Sequence, residues 1–150
     1  MFFICDHPDC NHTFKGVIMG LDMYLSAKKY FYSTDDDPLP TKIAELVGIS
    51  TPVQYISFRA MYWRKCFQVN DWFIDILDDR DVLQECEIDR ENLEDLLNQC
   101  KLFLKGEPSY FKDGEEVEDL KEEMEITVEG LEKCLKEFPE SFWFTYCASW

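Results

Sequence analysis

The chain predicts an α+β fold in which a small antiparallel sheet, with strands near 20–31 and 142–148 and a further extended piece at 52–56, is covered by three to four helices at about 41–48, 57–78, 89–105 and 115–138. Three observations predict it. From Leu21 the residues alternate apolar and polar, the period of a half-buried strand. The closing FWFTYCASW alternates in the same way. Between them, long segments repeat their apolar residues at steps of three and four, the spacing of one face of an α-helix. At 150 residues and 46% hydrophobic content, the chain suits one globular domain over 19–150, able to bury roughly two-thirds of its unfolded surface. Residues 1–18 stand apart as an extension, either disordered or a zinc knuckle.

The first strand places Leu21, Met23, Leu25 and Ala27 on one side and Asp22, Tyr24, Ser26 and Lys28 on the other. A turn-rich STDDDPLP follows. Thr41 then caps a short helix whose apolar face is Ile43, Leu46 and Val47 and whose end is Gly48. The central helix is expected over Ser57–Leu77, where Phe58, Tyr62, Cys66, Val69, Phe73 and Ile76 follow at steps of four, four, three, four and three. On that reading Arg59, Arg64 and Lys65 lie early and Asp71, Asp75, Asp78 and Asp79 late, against the preference of the helix dipole. A third helix is capped by Asp89, presents Leu93, Leu96, Leu97, Cys100 and Phe103 or Leu104 on one face, and stops at Gly106. The fourth carries Val117, Leu120, Met124, Val128, Leu131, Leu135 and Phe138 inward and ends before Pro139. The final strand is expected to pair antiparallel with the one beginning at Leu21.

Charge narrows the function classes. The chain has 31 acidic and 15 basic residues, a formal net charge of −16. Residues 1–75 hold 7 basic and 9 acidic side chains, so nearly all the excess belongs to the second half. Such a surface repels nucleic acid and anionic membranes and attracts a basic protein surface. With no apolar run near 18 residues and no basic flank or full apolar core in the opening MFFIC, a soluble cytoplasmic protein without a membrane span or signal peptide is expected. Seven cysteines, three of them on apolar helical stripes, read as reduced buried thiols. An aromatic content of 15% permits a self-associating face, leaving the oligomeric state open.

The chemistry-bearing candidates are few. Cys5, His7, Cys10 and His12 fall within eight positions and are the only candidate metal ligands, for zinc; no other cofactor is implied. They resemble the first half of a two-cysteine, two-histidine finger whose second half is missing, since no histidine follows Phe14. That also leaves no histidine in the body of the domain for a serine or cysteine triad, and there is neither a G-x-G-x-x-G nor a G-x-x-x-x-G-K-[ST]. Cys66 beside Lys65 is the one suggestive nucleophile, and its place on the apolar stripe speaks for packing. Tyr24, Trp63, Arg64 and Lys65 are candidates to line a pocket for an anion or nucleotide. Glu118, Glu122, Glu125 and Glu129, on the outer face of the fourth helix, are candidates to contact a partner.

MGLDMYL at 19–25, YWRK at 62–65 with Trp72–Phe73, the segment DRENLEDLLNQCKLFL and the closing FTYCASW resemble a family of small uncharacterised bacteriophage and prophage proteins that open with the same MGLDMYL. The resemblance covers most of 19–150 and is weakest over 33–56 and 105–115. It implies phage origin and a helix-covered fold rather than a reaction. Members often carry W-R-K-x4-H-x-W, with a histidine where this chain has Asn70, so chemistry resting on that histidine does not carry over. The combined expectation is a non-enzymatic acidic accessory protein that binds a host protein, as a nucleic-acid mimic countering a host defence or nucleic-acid-handling system. An anion-binding domain built on Trp63, Arg64 and Lys65, and a zinc-dependent module on residues 5–12, are the alternatives.

Overall fold

The computed structural model describes residues 20–32, 36–78, 80–112 and 117–150, with side chains of the last segment from 119 onward. In chain order the elements are β1 (Asp22–Tyr30), α1 (Leu39–Leu46), β2 (Tyr55–Arg64), α2 (Phe67–Leu77), β3 (Cys86–Ile88), α3 (Arg90–Leu104), α4 (Val117–Glu137) and β4 (Trp143–Ser149). The strands form a four-stranded antiparallel sheet in the order β2-β1-β4-β3. This is the expected α+β class, and β1 pairs antiparallel with β4 as the alternation of the two ends required. Among the described residues no helix is long and apolar enough to cross a membrane.

The central helix is the main correction. Its first half is the edge strand β2, and a helix begins only at Phe67. Tyr55, Ile56, Phe58, Tyr62 and Trp63 supply half of β2 with residues that favour a pleated surface. Ala60 lies in a β-bulge, because Met61 pairs with Leu25 while Arg59 pairs with the next residue, Ser26. The inward positions of β2 thus step from Phe58 to Met61, and a bulge's extra residue imitates a helical interval. Ser57 pairs with Lys28 within the sheet and caps nothing. With Arg59 and Arg64 on a strand, the apparent conflict with a helix dipole disappears.

α1 begins at Leu39, where Asp37 Oδ1 accepts the Leu39 N–H at 2.9 Å in place of a Thr41 cap. Ala44 is its buried residue, while Leu46 and Val47 are exposed. The three-residue β3 is an addition, too short for periodicity to reveal. Gly48 and Gly106, at φ of +75° and +72°, end α1 and α3 as expected. In each case the glycine N–H and the following N–H bond back into the last turn, as with Glu107 N–H to Leu102 O at 3.0 Å.

One face of the sheet carries Leu21, Met23, Leu25, Ala27, Met61, Trp63, Phe144, Tyr146 and Ala148, all buried in a single core with α2, α3 and α4. Phe73 of α2 stacks on Tyr146 with ring centroids 3.8 Å apart. α4 crosses Met61 at Gly130, where an added Cβ would lie 2.3 Å from Met61 Cε. Arg90 ties the two long helices together: its guanidinium donates to Leu135 O at 3.1 Å and to Phe138 O, meeting carbonyls that the end of α4 leaves free. No described helix covers the other face.

Candidate functional site

The strand alternation divides the predicted ligand residues. Trp63 is 4% exposed and lies on the covered face, where Nε1–H donates to Thr127 Oγ1 at 2.9 Å and the ring meets Phe73 edge-on. Thr127 passes the bond on to Glu123 O at 2.7 Å, so this tryptophan belongs to a satisfied buried network. Tyr24 and Arg64 emerge on the uncovered face. There the Tyr24 and Tyr62 rings are 5.4 Å apart, and Tyr62 donates to Asp22 Oδ1 at 2.5 Å, which raises the Tyr62 hydroxyl above its ordinary value. Arg64 Nε lies 4.0 Å from the same carboxylate oxygen. Lys65 sits at the strand-to-helix junction with φ +58°, its N–H donating to Leu21 O at 2.7 Å. It lines a cavity of about 210 Å³ together with Asp119 and Glu123, so the cavity mixes one cation with two carboxylates.

Arg59, which sequence reasoning left unassigned, lies over the Tyr24 ring with Cζ 5.0 Å from the centroid, a cation–π contact. Its signal was the alternation of β2, hidden by the bulge. Lys28 is held by Glu85 and lies 5.8 Å from the Tyr55 centroid. Burial pulls its pKa down, but the hydrogen bond and charge of Glu85 outweigh this and leave it above its ordinary value.

Glu122, Glu125 and Glu129 are exposed on α4, and among the described residues none of them forms an ion pair. Glu132, further along the same helix, pairs with Lys101 at 2.6 Å. The Glu118 side chain lies outside the described residues, as do Cys5, His7, Cys10 and His12. Among the described residues no group of three His, Cys, Asp or Glu side chains is placed to hold a metal ion.

A cavity of about 460 Å³ opens beside β3, lined by Glu87, Glu91, Glu94 and Glu140 around Arg90 and Trp143. The Arg90 charge is spent on carbonyls and on Phe144, whose centroid lies 5.5 Å away, so the groove presents carboxylates. Comparison with protein-family models, curated proteins and solved structures gives no significant match. The functional reading therefore rests on geometry.

The described cysteines are free, and Cys66 packs in the core. Cys66 is buried, and desolvation followed by the neighbouring Glu123 carboxylate pushes its thiol far up, away from the thiolate a nucleophile needs. Desolvation likewise lifts Cys100 to about 12 and Cys134 to about 11. Asn70 is buried, and its Oδ1 accepts a hydrogen bond from the Tyr146 hydroxyl at 2.7 Å. Its geometry is that of a core hydrogen bond.

Proposed function

We propose that this protein is a non-enzymatic phage accessory protein of the host cytoplasm. It binds a basic surface of a host protein through the outer face of α4, offering a row of carboxylates where that surface would otherwise meet phosphates. The observation that carries this reading is that Glu122, Glu125 and Glu129 face solvent without an ion-pair partner among the described residues. Spacings of three and four residues set neighbouring carboxylates roughly 4.5–6 Å apart along the helix axis, a linear array of single negative charges. Like charges three and four residues apart weaken an isolated helix, so the burial of Leu120, Met124, Leu131 and Cys134 in the core compensates and holds the array in place.

The test is affinity capture from host lysate with the parent chain and with Glu122→Gln, Glu125→Gln and Glu129→Gln combined. The parent should retain a partner that the triple variant loses; equal retention would overturn the reading. The anion-binding alternative is favoured by one observation, the Arg59 guanidinium over Tyr24 with Arg64 two rows along the same face. A nucleotide that raises the melting temperature of the parent but not of an Arg59→Gln variant would move the assignment there.

A further inference from the structure

We propose that the uncovered face of the sheet is self-complementary and docks a second copy of this chain as a twofold-symmetric dimer. The strand order places β2 at one edge and β3 at the other. Exposed cations, Arg59 and Arg64, stand on the β2 edge; exposed carboxylates, Glu85 and Glu87, stand on or beside β3. The pairing register aligns Arg59, Ser26, Thr145 and Glu87 as one row across all four strands. Neither Arg59 nor Glu87 forms an ion pair among the described residues.

Consider a half-turn about an axis lying between two such faces and parallel to the strands. It carries β2 over β3 of the second copy and β1 over β4, while each row stays opposite itself. Arg59 then faces Glu87 of the second copy, and by symmetry the contact forms twice, as an isologous interface requires. In the next row the large Tyr24 meets the small Cys147, and one row the other way the exposed Trp143 ring covers Lys28, whose ammonium Glu85 already holds. In the middle, Ser26 meets Thr145.

The composition agrees. Tyr24, Tyr30, Tyr55, Tyr62, Trp143 and Arg59 are of the three types most enriched where protein interfaces are strongest. With strands about 4.8 Å apart and about 3.3 Å of rise per residue, the face projects to about 500 Å², which side-chain relief brings to the order of the ~800 Å² per partner of a standard interface. The formal net charge of −16 opposes nucleic acid as the occupant, whereas the face itself balances Arg59, Arg64 and Lys28 against Asp22, Glu85 and Glu87. Two stacked sheets with aligned strands are an ordinary packing.

Sedimentation equilibrium of the full chain over about 1–200 µM should show association to twice the 17.8 kDa monomer mass. Arg59→Glu and Glu87→Arg should each weaken self-association by about tenfold or more. Mixing the two variants should restore a dimer, because one presents carboxylates at both positions and the other guanidinium groups at both. Both side chains are exposed, so circular dichroism should report unchanged folding. Ser26→Arg, mid-face, supplies an independent steric block and should also give a monomer. A parent chain that stays monomeric, single variants that still dimerise, or a mixture that does not reassociate would each overturn the proposal.

Discussion

Trp63 and Trp143 stand on opposite faces of one sheet, and the contrast between them separates what holds this protein together from what it offers to others. Trp63 is buried under α2 and α4 with its N–H satisfied by Thr127; Trp143, 48% exposed, pairs with Lys28 and alternates onto the uncovered face. The covered face is apolar and continuous with the helices. The uncovered face is a mosaic of tyrosines with three cations and three carboxylates. A strand's period of two lets one segment serve both, with fold and recognition written on alternate residues.

The largest expected effect tests that division. Trp63→Ala should cost about 3–5 kcal/mol in urea denaturation, whereas Trp143→Ala, assayed at a concentration where the chain is monomeric, should cost about 0.5 kcal/mol or less. Similar costs for the two would break the comparison. Within the covered layer, Tyr146→Phe should cost about 1–3 kcal/mol, because it leaves the buried Asn70 carbonyl oxygen without its donor.

Alkaline pH sharpens the contrast further. Cys100 and Cys134 have folded-state values of about 12 and about 11 against an ordinary 9.0, so above pH 9 the unfolded chain releases protons that the native chain retains. Their contribution to stability is complete below pH 9 and is lost as pH rises through those folded values. Lys28, raised above 10.5 by Glu85, loses its contribution in the same direction. Urea titrations should show a decline beginning near pH 9, and changing both cysteines to Ala should flatten its onset. The smallest effect lies at the junction between strand and helix. Lys65 holds φ +58°, a region costly to any residue with a Cβ, so Lys65→Gly should stabilise by about 0.5–1 kcal/mol, net of the added chain entropy.

Much of this build was legible in the residues. The alternation of β1 and β4 carried the sheet, their pairing and the identity of the buried face, since Leu21, Met23, Leu25 and Ala27 are all buried. Gly106 and Pro139 marked helix ends by local chemistry that needs no tertiary context, and Asp89 stands at the N-cap position of α3 without the expected side-chain cap hydrogen bond. β2 was illegible because one extra residue at Ala60 shifts its alternation into steps that a helix also produces, and α2 then continues those steps without a break. That error hid the site as well. On a helix, Trp63, Arg64 and Lys65 form one cluster; on a strand and the turn after it they separate, and Arg59 joins Tyr24 instead. Glu122, Glu125 and Glu129 were placed outward correctly because the apolar stripe of α4 left them no other side.

The central claim is that the host protein is recognised by the acidic helical layer, while the uncovered sheet face serves self-association. It is tested most directly by titrating the captured host protein calorimetrically into the parent chain, the Glu122, Glu125 and Glu129 to Gln variant, and Glu87→Arg. The account predicts affinity about tenfold weaker or worse for the helix variant and within about twofold of the parent for Glu87→Arg. Unchanged affinity for the helix variant, with loss in Glu87→Arg, would contradict it.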